Sequence, residues 1–343
     1  MRRLTAAVAA LSLCAAQAAA HGGPGHGHAA PAPQQPDFAK VEIKTEKAAG
    51  AVYVLFGVGG NIGVSAGPDG VLIVDDQFAP LADKIRAALK PLSPGPLRFV
   101  LNTHFHFDHT HANPVFGREA TIVAHANVRK RLASDVVVLG QTYKALPKEG
   151  LPVVTYDTTV SLHFNGEEIR VVHFPAGHTD GDSVVFFTAS NVIHMGDDFF
   201  AARFPFVDID NGGSVEGLTR NIAEVISKAP ADVKIIPGHG PLSTIADLRA
   251  YHSMLAETTE VVRGRMKAGR TLEQAKAEGL PDKWKTWGSG FVNTQQWIET
   301  VYRSLQKGAG KSARTSPPET TPRDAARRLS MTGDHWLDFR LDG

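Results

Sequence analysis

Cysteine is almost absent from this sequence: the 343 residues include only Cys14. A single cysteine cannot form an intrachain disulfide, nor the thiolate clusters that hold structural zinc or iron–sulfur centres. Apart from this one thiol, which lies near the start of the chain, metal ligands must be nitrogen and oxygen atoms, and 15 histidines are available to supply nitrogen.

An excess of either charge is also missing, since 36 Lys and Arg residues face 35 Asp and Glu residues. That balance does not predict a nucleic-acid partner, which favours a basic surface. The apolar run at the start, from Leu4 to Ala16, is too short to cross a membrane as a helix. We therefore expect no nucleic-acid partner and no membrane span, and the oligomeric state stays open.

The first residues are typical of a secretory signal. Arg2 and Arg3 precede the apolar run, and small residues follow at positions suited to cleavage, namely Ala16, Ala18 and Ala20. We predict a signal peptide over residues 1–20 and a periplasmic location. Because Cys14 lies inside the removed segment, the mature chain is expected to carry no thiol.

Composition divides the rest of the chain into four parts. Residues 21–37 are rich in His, Gly and Pro and predict a disordered linker, whose histidines either capture metal or simply lie in solvent. Residues 38–250 are expected to form the catalytic domain and residues 251–306 a helical extension, followed by a disordered tail at 307–343. Large aromatic side chains are expected to anchor the extension by packing: Trp284, Trp287, Phe291 and Trp297.

The order of apolar runs predicts an α/β fold. Residues 52–75 contain three short strand-like runs separated by GVGGN and GPDG, and a helical spacing follows from Leu81 to Leu89. The second half repeats strands and then a helix with Leu218, Ile222 and Val225 on one face. We therefore predict two sheets packed face to face with helices outside, a four-layer αββα sandwich.

A dense group of metal-binding side chains lies in NTHFHFDHTHAN, residues 102–113, where an apolar strand ends. It contains His104, His106, Asp108 and His109, and four such side chains within six residues are hard to explain by core packing. Three further side chains each follow an apolar strand and adjoin glycine: His178 in PAGHTDGD, Asp197 in HMGDDFF and His239 in IIPGHGP. Together they predict a metal site.

These motifs resemble those of the metallo-β-lactamase superfamily, in which HxHxDH is followed by GH, GD and PGHG. The resemblance covers roughly residues 41–250 and implies the αββα fold with two metal ions at one sheet edge. Carried over to this chain, it implies that the first zinc is held by His104, His106 and His178, and the second by Asp108, His109 and His239. Asp197 is then implied to bridge the two ions.

Two departures bear on function. Asp197 stands where the best-known zinc β-lactamases have a cysteine ligand, as in glyoxalase II-like branches, and His106 stands where the diiron oxygen-reducing branch has glutamate. The first weakens a β-lactam assignment and the second disfavours redox chemistry. Zinc is the expected metal, with iron and manganese as alternatives for such ligands.

Other polar residues near the motifs have two interpretations each. His111, His173 and His194 either orient the ligands by hydrogen bonds or simply pack. Asp75 and Asp76 are expected to anchor the ligand loop, and Asp180 and Asp182 to position His178. Two loops are candidates for substrate recognition, residues 56–63 and residues 199–213, the second with Arg203, Phe204 and Phe206.

The resulting hypothesis is a dinuclear zinc hydrolase in which a metal-bound hydroxide attacks a small-molecule substrate. Asp108 is expected to act in catalysis by orienting that hydroxide. A β-lactam or similar cyclic amide is the first substrate, and a thioester, ester or lactone is the alternative. A non-catalytic zinc-binding protein is an alternative of a different class.

Overall fold

The computed structural model describes residues 36–315. The predicted signal peptide, the predicted linker as far as residue 35 and residues 316–343 of the predicted tail lie outside the described residues.

The strands follow the apolar runs of the sequence. In chain order they are β1 (Lys44–Ala49), β2 (Val52–Phe56), β3 (Ile62–Gly67), β4 (Gly70–Val74), β5 (Leu97–Asn102), β6 (Thr121–His125), β7 (Val136–Val138), β8 (Gln141–Tyr143), β9 (Val154–Tyr156), β10 (Thr159–Phe164), β11 (Glu167–His173), β12 (Ser183–Phe187), β13 (Val192–His194), β14 (Lys234–Ile236) and β15 (Ser243–Thr244).

The helices lie between and after these strands. In chain order they are α1 (Ala82–Leu89), α2 (Phe107–Thr110), α3 (Asn113–Phe116), α4 (Ala126–Leu132), α5 (Val215–Lys228), α6 (Ile245–Lys267), α7 (Leu272–Glu278) and α8 (Thr294–Thr315). Short 3₁₀ turns add Ala79–Leu81, Lys148–Gly150, Gly196–Asp198 and Asp282–Ser289.

The strands form two large sheets and one separate hairpin. The first sheet has the order β1-β2-β3-β4-β5-β6-β9, antiparallel up to β4 and parallel from β4 onward. The second has the order β10-β11-β12-β13-β14-β15, in which β13 and β14 are the parallel pair. Strands β7 and β8 pair only with each other.

Three of the four apolar cores among the described residues hold the layers together. Between the sheets, Leu72 and Leu101 of the first sheet share a core with Val171 and Ile236 of the second. The other face of the first sheet buries α1, and the other face of the second sheet buries α5, α6 and α8. Side chains at period two in the strands and at helical spacing in the helices make these layers possible. The predicted αββα sandwich is confirmed.

The helical extension packs against the second sheet as part of the same core. Helix α6 begins at Ile245, so the helical region starts before residue 251. A capping box precedes it: the Thr244 hydroxyl accepts from the Asp247 backbone N–H, and the Asp247 carboxylate accepts from the Thr244 backbone N–H. Helix α8 continues to Thr315, beyond the predicted end at residue 306. Within the described residues, no helix is both long enough and apolar enough to cross a membrane.

Three of the four predicted aromatic anchors pack into the extension. Trp297 is fully buried and its indole N–H donates to the Thr258 hydroxyl at 2.9 Å, while Trp284 and Trp287 pack in the same core. The prediction for Phe291 is wrong, since its side chain is 68% exposed. Phe291 follows the 3₁₀ segment that Trp284 anchors, in a turn that faces solvent.

Candidate metal centre

The seven predicted ligands lie together, at one end of the two sheets. His104 and His106 follow β5 in extended conformation, and Asp108 and His109 belong to the short helix α2 that His106 precedes. The other three come from the second sheet: His178 from the β11–β12 loop, Asp197 from the turn after β13, and His239 from the loop after β14.

The first group of donors is deeply buried. His106 Nδ1 lies 2.8 Å from His178 Nε2, and Asp197 Oδ2 lies 3.5 Å from His178 Nε2 and 3.8 Å from His104 Nε2. All four side chains are at most 7% exposed. One donor atom from each converges on a space that a single cation can occupy, with all four atoms within 4.8 Å of one another.

The second group faces the other oxygen of Asp197 and opens to solvent. Asp197 Oδ1 lies 3.1 Å from His109 Nε2 and 3.3 Å from His239 Nε2. Asp108 Oδ2 lies 3.4 Å from His239 Nε2 and 3.8 Å from His109 Nε2. The side chains of Asp108 and His239 are 33% and 22% exposed, so a substrate can approach from this side.

The donor set fits divalent metal binding. His104 Nε2 is buried and has no hydrogen-bond partner among the described residues, which is costly unless a cation completes its surroundings. Nitrogen and carboxylate donors suit zinc, iron and manganese. That the two carboxylate oxygens of Asp197 face different groups is the arrangement expected of a bridging ligand.

Each histidine in the buried part of the site is held through the ring nitrogen that faces away from the other donors. His104 Nδ1 contacts the Thr103 hydroxyl at 3.0 Å, His109 Nδ1 contacts Asp75 Oδ2 at 2.7 Å, and His178 Nδ1 donates to the Phe206 carbonyl at 2.7 Å. The Thr103 hydroxyl in turn donates to Asp75 Oδ2 at 2.7 Å. Such contacts fix the ring orientation and the tautomer that binds metal.

Electrostatics separate the two groups. Burial lowers the pKa of His104 well below its usual value, and burial together with nearby His106 lowers that of His178 to about 4. In the second group burial also opposes charge on His239, but Asp197 and Asp108 outweigh it and raise its pKa to about 9. The pKa of Asp108 falls to about 2 because His109 and His239 outweigh the effect of burial.

A network around Asn61 connects the ligand loops of the second sheet to the start of β3. The Asn61 amide donates to the carbonyls of Pro237 at 2.9 Å and Gly240 at 2.8 Å, on either side of His239. The carbonyl of Asn61 accepts from His194 Nε2 at 3.1 Å, and His194 Nδ1 accepts from the backbone N–H of Gly196, next to Asp197. His194 therefore supports the loops, whereas the sequence placed Asn61 only within a candidate loop for substrate recognition.

The other histidines and carboxylates noted near the motifs lie around the donor set but do not belong to it. His111 stacks on Phe107 with ring centroids 3.9 Å apart, and His173 stacks on His125 at 3.7 Å. Asp182 accepts from the backbone N–H of Thr179 at 2.7 Å and so holds the turn after His178. Asp180 instead pairs with Arg131, outside the donor set.

The two predicted recognition loops both border the donors. Residue Gly60 lies so close to His109 that a Cβ there would be 2.1 Å from the imidazole, which leaves room only for glycine. In the second loop Phe206 packs on the rings of His106 and His178, at 5.6 and 5.8 Å. Phe204 is buried against Trp297, and the Arg203 guanidinium donates to the carbonyl of Ala201.

Comparison with known proteins decides the family. A profile described as "Metallo-beta-lactamase superfamily" matches residues 55–239, more than half of the chain and every ligand position named above. The chain belongs to the metallo-β-lactamase superfamily. The family resemblance seen in the sequence is thereby confirmed.

Solved structures of this superfamily share its fold. The sec-alkylsulfatase Pisa1 from Pseudomonas sp. superposes with a TM-score of 0.58 at 15% identity, over 81% of this chain and 52% of its own. The present chain thus spans about half the length of that sulfatase. DIM-1 metallo-beta-lactamase and a metallo-beta-lactamase from Pontibacter korlensis each give a TM-score of 0.52, at 19% and 18% identity, over 63% of this chain and 99% of their own.

Proposed function

We propose that this superfamily member is an exported hydrolase that uses two zinc ions held by the seven side chains described above. The observation that carries the proposal is the division of the donors into two groups that share the two oxygens of Asp197. When bound, such cations supply Lewis acidity and lower the pKa of coordinated water. His104, His106 and His178 would hold the first, Asp108, His109 and His239 the second.

Asp108 is the side chain best placed to act directly on the reactants. It is partly exposed at the open side of the site, and its lowered pKa keeps it ionised at neutral pH. The carboxylate can therefore accept a hydrogen bond from an attacking water and orient it toward the substrate. The buried histidines cannot reach a substrate as freely, so their role is to bind metal.

The first experiment replaces Asp108 by Asn and measures turnover together with bound metal. Removing one orienting or proton-accepting group typically costs roughly 10²- to 10⁴-fold in rate. We expect a loss of that size with much of the metal retained, because six other donors remain. Asp83→Asn, at an exposed carboxylate of α1, is the matched control and should leave turnover unchanged. A fully active Asp108→Asn variant would contradict this mechanism.

The substrate we favour is a β-lactam or a similar cyclic amide. In support, the two β-lactamases named above align over 99% of their own length. Ester or thioester hydrolysis is the second candidate, favoured by the all nitrogen and oxygen donor set with Asp197 in place of a thiolate. Parallel assays with a chromogenic cephalosporin, an acyl thioester and a lactone, each with and without chelator, separate them. Two bound metals without turnover on any of these would instead support the non-catalytic alternative.

Export to the periplasm is the remaining part of the proposal. It rests on the charged start, apolar run and small residues within residues 1–20. Expression of the full chain followed by fractionation and N-terminal sequencing tests it. A periplasmic protein that begins after Ala18 or Ala20 is expected, and an uncleaved cytoplasmic protein would contradict it.

A further inference from the structure

His106 is oriented differently from the other buried ligand histidines. Its Nδ1 faces the donor group, 2.8 Å from His178 Nε2, while its Nε2 lies 3.0 Å from Asp208 Oδ2. His104, His109 and His178 are instead held through Nδ1 and present Nε2. A neutral imidazole carries one proton on one of its two nitrogens. His106 can therefore offer a lone pair to a cation through Nδ1 only when that proton is on Nε2.

Asp208 secures that proton as long as it stays an acceptor. Its residue is only 4% exposed, and both carboxylate oxygens are engaged by Asn211. The backbone N–H of Asn211 donates to Oδ1 at 3.1 Å and the side-chain amide donates to Oδ2 at 2.8 Å. His106 Nε2 contacts the same Oδ2 atom as the Asn211 amide, and a carboxylate oxygen can accept two hydrogen bonds.

Arg131 determines which end of the Asn211 amide faces Asp208. Its guanidinium donates to Asn211 Oδ1 at 2.7 Å, and a guanidinium has only donors, so the amide oxygen must face it. The amide nitrogen then faces Asp208, and its second hydrogen reaches the Val137 carbonyl of β7 at 2.9 Å. A reversed amide would set donor against donor at Arg131 and acceptor against acceptor at Asp208.

Arg131 is itself fixed on α4. Two of its nitrogens bond the two oxygens of Asp180, each at 2.7 Å, and a third contact joins it to the Asn211 carbonyl at 2.9 Å. The guanidinium also lies over the Phe105 ring, 5.0 Å from its centroid. A bidentate ion pair and a ring contact leave this side chain little freedom.

We propose that Arg131 and Asn211 are positioning residues that act through Asp208 to keep the proton of His106 on Nε2, so that Nδ1 is presented at the first metal position. The inference rests on the proposed function only in taking that position to bind a cation. The chain Arg131–Asn211–Asp208 makes no contact with Asp108, His109 or His239 among the bonds described, so its effect is confined to the first position.

The sharpest test is Asn211→Asp, because it keeps the shape of the side chain and replaces the donor by an acceptor. The matched control is Asn127→Asp on α4, whose amide donates to the backbone carbonyl of Asp180 at 2.8 Å and makes no direct hydrogen bond to Asn211, Asp208 or His106. Each is made in two backgrounds, His239→Ala to isolate the first position and His178→Ala to isolate the second. Metal-free protein is titrated with Zn²⁺ and with Co²⁺ against a competing chelator.

We expect Asn211→Asp to weaken Zn²⁺ binding roughly 10- to 100-fold at the first position, as for other losses of a partner that orients a ligand, and to leave the second unchanged. Histidine ¹H–¹⁵N correlation spectra of the metal-free protein should show His106 protonated on Nε2 in the parent and in Asn127→Asp, but not uniformly so in Asn211→Asp. If Asn211→Asp fails to fold, Asn211→Ala removes the donor without adding a charge and should show the same selectivity.

Normal first-position affinity in Asn211→Asp would overturn the proposal, as would an equal loss at both positions with an unchanged His106 spectrum. These readouts use the metals alone and need no substrate. A parent protein that binds two cations and hydrolyses nothing would contradict the proposed function while leaving this inference intact.

Discussion

The two donor groups that meet at Asp197 are prepared for metal in different ways. The first is buried, and desolvation keeps the imidazoles of His104 and His178 neutral. The second is partly open, and there the imidazole of His239 and the carboxylates of Asp108 and Asp197 hold each other in their charged forms. The first group therefore contains buried polar atoms that are costly without a cation. The second contains a protonated imidazole, whose proton an entering cation must displace.

This difference assigns different tasks to the two positions. A neutral, enclosed nitrogen set favours permanent metal binding, since ligands must be deprotonated before they coordinate. A charged, accessible set favours exchange with solvent and contact with substrate. We expect the first position to bind more tightly and the second to respond more to pH.

The largest effect is expected from Asp197→Ala, which removes the oxygen that each group faces. The variant should lose turnover to the level of the metal-free protein and bind fewer than two equivalents of zinc by elemental analysis. Asp210→Ala, at an exposed carboxylate paired with Arg303, is the control. If Asp197→Ala retained two metals, the bridging role of Asp197 would be wrong, and the two groups would be independent sites.

The next largest effect is expected from Asp75→Asn, which reaches both groups. Asp75 Oδ2 contacts His109 Nδ1 directly and His104 through the Thr103 hydroxyl. An amide nitrogen there would require an acceptor at His109 Nδ1 and so favour the tautomer that cannot bind metal through Nε2. Zinc affinity should fall roughly 10- to 100-fold at each position, measured by chelator competition.

The neighbouring carboxyl supplies the control for that substitution. Burial, with the charge of Asp75 added, raises the pKa of Asp76 well above its usual value, and its Oδ1 accepts from the Ala112 backbone N–H. Asp76→Asn therefore replaces a group that is already readily protonated, and zinc affinity should change little. Equal losses in Asp75→Asn and Asp76→Asn would show that both act only by supporting the loop.

A further effect expected is a pH dependence that distinguishes the positions. At pH 7 a cation entering the second position must displace protons, since the pKa of His239 is about 9, whereas His178, with a pKa of about 4, holds none. Second-position affinity should rise about tenfold per pH unit for each proton displaced, up to about pH 9, whereas His178 should add no pH dependence to the first position above about pH 5. Titration calorimetry in buffers of different ionisation enthalpy counts the protons.

The raised pKa of His239 also predicts how the stability of the metal-free protein depends on pH. A histidine pKa raised from 6.5 to about 9 contributes stability that is complete below pH 6.5 and is lost as pH rises through about 9. The metal-free protein should therefore have a lower Tm at pH 9 than at pH 6.5, by thermal unfolding. Burial opposes charge on His109 as well, but nearby carboxylates outweigh it and raise its pKa, so a His239→Ala variant should lose only part of that dependence. An unchanged dependence in the variant would assign it to other groups.

The sequence was sufficient for the layers and for the family because both rest on local patterns. Apolar runs at strand and helix spacing predicted the sandwich. The close spacing within residues 102–113 predicted four of the donors, and glycines next to His178, Asp197 and His239 indicated the other three. Metal ligation by those donors stays a prediction, although the fold brings all of them together. Phe291 shows the limit, because an aromatic residue in a helical region need not face the core.

The supporting residues that the sequence did not reveal make hydrogen bonds between segments that are separated in the chain, rather than within one local motif. Asp208, Asn211 and Arg131 belong to a loop and a helix far apart in sequence from His106, and no spacing relates them. Asn61 lies 176 residues from Pro237, which it contacts. Their donor and acceptor roles become visible only when the two sheets are packed together.

Loops from both sheets supply donors to each metal position. Each position draws two donors from the first sheet's loops and two from the second's, if Asp197 is counted for both. Neither half of the chain alone can complete a coordination sphere. We therefore expect metal to bind only after the two halves have packed together. A pair of bound ions would then connect the two sheets, so chelation should destabilise the whole sandwich rather than the site alone.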